Sequence, residues 1–139
     1  MRIAFPSGVR NTPIDRNPVR LVQGGGAGHG GGTTITYVDY TVPPLRRADI
    51  RMARGYYLVT TALAAGQTES VALNFVNPVI NNLVFVISLA AAALGDRQQW
   101  EAEQLFLVAG DRIQILGTLA AGAGIVQDGG GISGVEYDA

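Results

Sequence analysis

The residues with the clearest chemical potential lie in one glycine-rich stretch, LVQGGGAGHGGGTT, between Leu21 and Thr34. Gly26, Gly28 and Gly31 satisfy the G-x-G-x-x-G spacing of a dinucleotide-binding loop, where glycines let the backbone approach a pyrophosphate. That loop also needs a strand before it and a helix that opens on it. Here a proline-broken segment precedes the motif and strand-like residues follow it. We therefore predict no nucleotide and no other cofactor.

His29 is the single histidine of the chain and lies in the same stretch. A metal site usually takes several histidine, cysteine or carboxylate ligands, and the chain has no cysteine. We expect an exposed loop histidine and no metal site, with an interfacial histidine that titrates near neutral pH as the alternative. The absence of Cys and Lys also removes the usual nucleophile–base pairs. No catalytic residue is predicted, and we do not expect an enzyme.

The carboxylates suggest two other kinds of site, a pair that acts on a sugar bond and a calcium site, each on weaker grounds. Glu101 and Glu103 share one face of a predicted strand and could flank a sugar bond, although a solvated strand face is the simpler interpretation. Asp96, Asp111 and Asp128 could hold calcium if their loops met at one end of the fold. Neither pattern identifies a site from the sequence.

The elements that must position these residues are short β-strands. Residues alternate with a period of two from Thr33 to Val42 and from Trp100 to Val108, which is typical of half-buried strands. The second alternation places Phe106 on the same face as Trp100. Turn-forming residues separate such segments at intervals of about 8 to 15 residues. The pattern predicts an all-β fold, an antiparallel β-sandwich or jelly roll of about seven to eight strands over residues 33–139.

Residues 1–32 differ from this body, and we interpret them as an extended N-terminal arm followed by a flexible hinge. Three prolines within the first 18 residues disfavour a helix. The apolar and arginine residues between them predict contact with a partner: Arg2, Ile3, Phe5, Val9, Arg10, Ile14, Arg16, Val19 and Arg20. The predicted hinge contains Gly24, Gly25, Gly26, Gly28, Gly30, Gly31 and Gly32.

The overall composition favours an assembling protein. Charged residues make up 15 % of the chain, against about 25 % in ordinary soluble domains. The net charge of −1 provides no basic field, so a nucleic-acid partner is not expected. The longest apolar run, Leu83 to Leu94, is shorter than the roughly 20 residues needed to span a bilayer. No membrane partner is predicted.

Three segments of the body resemble the capsid decoration (cement) proteins of tailed phages. They are YTVPPLRRADI (Tyr40–Ile50), LVAGDRIQI (Leu107–Ile115) and GISGVEYDA (Gly131–Ala139). The resemblance implies a non-enzymatic virion structural protein, made in the host cytoplasm and placed on the outer capsid surface. It also implies a homo-oligomer, most often a trimer, whose arm grips neighbouring subunits or the major capsid protein.

Tail, collar and fibre modules share the same strand pattern and provide the alternative function. Such a module would bind a receptor or a glycan. Tyr56, Tyr57 and Trp100 could line its groove, although aromatic residues in strands more often pack in a core.

Overall fold

The computed structural model describes residues 16–76 and 92–139, together with the backbone of residues 81–90. These residues contain eight β-strands. They are β1 (Val19–Gly30), β2 (Thr33–Thr41), β3 (Arg46–Thr61), β4 (Thr68–Val76), β5 (Asn81–Ala90), β6 (Arg97–Val108), β7 (Arg112–Leu119) and β8 (Ile125–Asp138). Within the same ranges, no helix is long and apolar enough to cross a membrane.

The strands form two four-stranded antiparallel sheets, in the orders β1-β8-β3-β6 and β2-β7-β4-β5. The pairing is nested, since β1 pairs with β8, β2 with β7, β3 with β6 and β4 with β5. This nested pairing, rolled into two facing sheets, is the jelly-roll form of a β-sandwich. The predicted all-β sandwich is confirmed. Apolar side chains from both sheets fill the space between them.

The predicted glycine hinge is wrong, because residues 24–30 belong to β1. Gly24, Gly25 and Gly26 lie opposite glycines 131, 130 and 129 of β8 in an uninterrupted antiparallel ladder. Glycine carries the same backbone donor and acceptor as any other residue, and a glycine-rich partner strand can approach it closely. Of the predicted hinge, Gly31 and Gly32 form a turn, and Gly32 has a positive φ of 79°, which favours glycine.

The sandwich therefore begins at Val19 and not at Thr33. Val19 and Arg20, predicted to belong to the arm, are the first residues of β1. Arg16 is exposed just before the strand, and its carbonyl accepts a 2.7 Å hydrogen bond from the backbone N–H of Asp138. The other predicted arm residues, Arg2 to Ile14, lie outside the described residues.

Glycines on the inner face of the first sheet make room for large side chains. Gly25, Gly130 and Gly55 form one row across β1, β8 and β3, and Trp100 of β6 ends the row. A Cβ on Gly55 would lie 2.6 Å from Cε2 of Trp100, and one on Gly130 would lie 2.5 Å from Cγ2 of Ile115. The indole and the isoleucine thus occupy volume that these two glycines leave open.

The outer face of the same sheet uses the neighbouring glycines in the same way. Tyr56 of β3 lies in one row with Gly129 and Gly26. A Cβ on Gly129 would lie 2.8 Å from the Tyr56 hydroxyl, and one on Gly26 would collide with it. The phenol ring therefore reaches across two strands that have no side chains beneath it.

The predicted alternation along β6 is interrupted at Gln104. Its φ of 52° lies in the left-handed region, and the ladder to β3 passes from Glu103 directly to Leu105. An irregular residue of this kind shifts the side chains that follow it to the opposite faces. Leu107 is therefore buried and Phe106 is exposed, whereas the alternation placed Phe106 beside Trp100.

We expect Gly55→Ala to lower the free energy of unfolding by about 1–3 kcal/mol, because its methyl group would overpack the indole of Trp100. Gly25→Ala is the matched control, since it lies in the same row with no atom within 4 Å of the added Cβ. Its cost should stay within about 0.5 kcal/mol. Urea unfolding measures both variants, and equal losses would contradict the packing role of Gly55.

Candidate functional site

Five polar side chains meet between the two sheets and form what we call the polar cluster. His29 of β1 and Asp128 of β8 come from the first sheet, and Thr33, Tyr37 and Glu69 come from the second. The predicted exposed loop histidine is wrong, because the His29 side chain is 6 % exposed and lies on a paired strand. Since β1 is a strand, its alternation turns this imidazole inward.

The hydrogen bonds around His29 determine which ring nitrogen carries a proton. The Thr33 hydroxyl donates its single hydrogen to the carbonyl of Gly30 at 2.6 Å. It can then only accept from His29 Nδ1, which lies 2.5 Å away. Nδ1 therefore carries a proton, and Nε2 lies 2.8 Å from Oδ2 of Asp128.

Tyr37 supplies a second contact to Asp128. Its hydroxyl donates to Oδ1 of that carboxylate. Tyr37 is the extra residue of a β-bulge, since Thr36 pairs with Leu116 and Val38 with Ile115. A bulge can redirect a side chain that a regular strand would place elsewhere. Burial raises the pKa of Tyr37, and its hydrogen bond to Asp128 acts in the same direction.

Glu69 is the least satisfied member of the cluster. Its side chain is fully buried, and among the described residues no hydrogen bond of good geometry reaches either carboxylate oxygen, although Asp128 and the backbone of Ser70 and Thr118 lie close to them. His29, Glu69 and Asp128 each offer one ligand atom, and these three atoms lie within 4.8 Å of one another. Burial, and then the negative charge of Asp128, raise the pKa of Glu69 far above its usual range. A buried pair of carboxylates is costly unless something compensates its charge.

The fold provides space and apolar walls for this cluster. A Cβ on Gly117 would lie 2.6 Å from the carboxyl carbon of Asp128, so glycine is needed there. A second apolar group borders the cluster and includes Val126 and Leu119. Val126 lies opposite His29 on the neighbouring strand, and Leu119 lies opposite Glu69. The main core lies beyond Gly117 on the other side. The polar cluster thus separates two apolar groups.

The three aspartates considered for calcium do not meet. Asp96 accepts a 2.9 Å hydrogen bond from the Ala93 N–H, and Asp111 accepts one of the same length from the Val108 N–H. Both therefore stabilise their own turns. Asp128 alone of the three joins the polar cluster, within the part of the chain that the structure describes.

The other residues considered from the sequence are divided between the core and the surface. Glu101 and Glu103 are exposed and pair with Arg54 and Met52 of β3, which leaves them on a solvated face. Trp100 and Tyr57 are buried and are inaccessible to a sugar. Of the three aromatic candidates, Tyr56 is the one that reaches the outer surface.

A second feature lies on the outer surface of the β1-β8-β3-β6 sheet. Four apolar side chains are 46–67 % exposed there and form what we call the apolar face: Val22, Met52, Phe106 and Val108. Beside it is a groove of about 420 Å³, whose floor is glycine backbone of β1 and β8 and whose lining includes Met52, Arg54 and Tyr56. Several exposed apolar side chains on one surface of a sheet are typical of an interaction surface.

We expect Tyr37→Phe to lower the free energy of unfolding by about 1–3 kcal/mol, because it removes a hydrogen-bond donor from a buried carboxylate. Tyr56→Phe is the control, since it removes the same hydroxyl from the outer face. Urea unfolding compares the two variants. The assigned contact would be refuted if Tyr37→Phe cost no more than Tyr56→Phe.

No family model matches the chain, and no curated protein matches it in sequence. Solved structures with a similar arrangement of strands include Eiger TNF from S. frugiperda, with 13 % identity over 86 % of this chain and 94 % of that one, at a TM-score of 0.45. A Bacillus endospore appendage, described as a disulfide-linked pilus, has 16 % identity over 95 % and 97 % of the chains, at 0.45. A chain of infectious bursal disease virus, Gx strain, has 11 % identity over 88 % of this chain and 33 % of its own length, at 0.43.

Proposed function

We propose that the protein is a non-enzymatic structural subunit of a virion, and specifically a capsid decoration protein. In this function it forms homo-oligomers on the outer capsid surface and contacts the major capsid protein. The observation that supports the proposal is the apolar face, which leaves four large side chains in water on one sheet. Burying such side chains against another subunit stabilises an assembly by about 25 cal/mol per Å² of apolar surface.

The arrangement of the apolar face favours a protein partner. Val22 and Met52 lie in one row, because both pair with Ser133 of β8. Phe106 and Val108 lie on β6 opposite Asp49 and Arg47 of β3. Charges of both signs thus surround the apolar side chains, as at the polar rim of a protein interface. The partner that we propose for this face is a second copy of the chain.

The N-terminal residues would contact the shell. The backbone entering β1 is anchored at one end of the sandwich, where Asp138 binds the Asn17 amide at 2.6 Å and Arg46 donates to the Asn17 carbonyl at 3.1 Å. Residues 1–15 precede this anchor and could extend about 50 Å when fully stretched. With no hinge in the glycine stretch, the anchor fixes the point on the sandwich from which this segment starts.

We expect the full chain to be a trimer and Phe106→Asp to be monomeric, because a carboxylate at the most exposed side chain of the apolar face cannot be buried without a partner. Native mass spectrometry and light scattering measure the oligomeric state. Leu94→Asp is the matched control, since Leu94 is 70 % exposed in a turn outside the apolar face. A monomeric full chain, or equal effects of both variants, would contradict assembly through this face.

We also expect the full chain to cosediment with capsids of its encoding phage, and deletion of residues 1–15 to weaken that binding at least tenfold. The deletion stops before β1, so the sandwich remains complete. Circular dichroism checks that the shortened chain is folded. If the shortened chain binds capsids as tightly as the full chain, residues 1–15 do not contact the shell. If the full chain does not bind capsids, the protein is not a capsid decoration protein.

A second candidate is a tail, collar or fibre module that binds a receptor or glycan. The groove beside Tyr56 favours it, because a half-buried aromatic ring, Arg54 and open glycine backbone line one concave surface. Glycan-array binding that is lost in Tyr56→Ala and retained in Gln99→Ala would support this candidate. No binding to glycans by the full chain would exclude a glycan ligand.

A further inference from the structure

The polar cluster holds two buried carboxylates beside a single imidazole. Asp128 and Glu69 are both fully buried, and one ligand atom of each lies within 4.8 Å of a ring nitrogen of His29. Isolated charges in such surroundings are strongly disfavoured. Two protons or one divalent cation would make the cluster neutral.

The orientation of His29 bears on whether protons or a cation balance the charge of the cluster. Its Nδ1–H is donated to Thr33, and Thr33 has already given its own hydrogen to Gly30. Nε2 therefore faces an oxygen of Asp128, 2.8 Å away. Two electron-rich atoms at that distance need a positive centre between or beside them, which is either a proton on Nε2 or a bound cation. In metal sites the outer ring nitrogen of a ligand histidine is held by a hydrogen bond in this way.

Glu69 is an independent indication of a ligand. It lies on the opposite sheet from His29 and Asp128, is fully buried, and receives no hydrogen bond of good geometry at either oxygen among the described residues. One of its oxygens lies within 4.8 Å of the other two ligand atoms. Buried polar groups normally have partners, and a cation held between the three side chains would supply one for Glu69.

We propose that His29 Nε2, Asp128 and Glu69 bind a divalent transition-metal ion, and that the ion is zinc. One imidazole and two carboxylates suit zinc better than calcium or magnesium, which take oxygen ligands. Donor atoms around one zinc ion lie about 3.4 Å apart in tetrahedral geometry. The separations in the cluster, from 2.8 Å to at most 4.8 Å, bracket that value.

Such an ion would be structural. Its ligands come from both sheets, so it would join β1 and β8 to β4 through the interior. Thr33 would hold the imidazole, and Tyr37 would hold the second oxygen of Asp128. Because the ligands are buried, the ion would be captured while the chain folds rather than enter the finished sandwich.

The test is to unfold the untagged full chain in urea with a chelator and to refold it with or without zinc chloride. After exhaustive dialysis, elemental mass spectrometry measures bound zinc. We expect about one zinc ion per chain and a higher unfolding midpoint in the zinc-refolded sample. Glu69→Gln keeps the shape of the side chain and removes its charge, and it should weaken zinc affinity at least 100-fold. Glu101→Gln, an exposed carboxylate on β6, should bind zinc as the parent does.

If Glu69→Gln fails to fold, a second measurement on the unmodified chain tests the zinc site. His29 is the single histidine of the chain, so nitrogen NMR of the imidazole reports one residue without overlap. We expect a protonated Nδ1 and a metal-bound Nε2 in the zinc-refolded chain. Two protonated ring nitrogens and no retained zinc would overturn the proposal, because protons would then balance the cluster.

Discussion

The volume that glycine leaves empty is the constraint on which this structure depends. Along β1, β8 and β3, missing Cβ atoms make room for the Trp100 indole and Ile115 on one face and for the Tyr56 phenol on the other. The same device operates in the second sheet, where Gly117 makes room for the Asp128 carboxylate. Protein interiors are close-packed, so the space left by each missing Cβ atom is filled by a large or charged side chain.

The polar cluster gives the interior an unusual layered composition. The main apolar core lies on one side, a smaller apolar group lies on the other, and buried carboxylates lie between them. A wholly apolar layer would be easier to stabilise, since buried ionic groups contribute little net stability. A bound cation would explain why this position is polar, and would make the two sheets depend on each other.

The fold could be predicted from the sequence because strand alternation and turn residues are local signals, and Val38, Ile113 and Ile115 follow them. The polar cluster could not, because His29 and Asp128 are 99 residues apart and meet only when β1 pairs with β8. Glycine has a poor strand propensity, so β1 looked like a hinge. One signal in the sequence indicates that Glu69 is buried, because it alternates in step with Val71 and Leu73 along β4.

The position of β1 at the edge of its sheet has a kinetic consequence. Within the part of the chain that the structure describes, one strand, β8, pairs with β1, and ordering the glycines of β1 costs more backbone entropy than ordering other residues would. Both facts lower the free energy of local opening, the process that amide hydrogen exchange detects. Opening β1 would also carry His29 out of the interior. Detachment of this one strand would thus be a local route by which a bound ion is lost, independently of how stable the whole domain is.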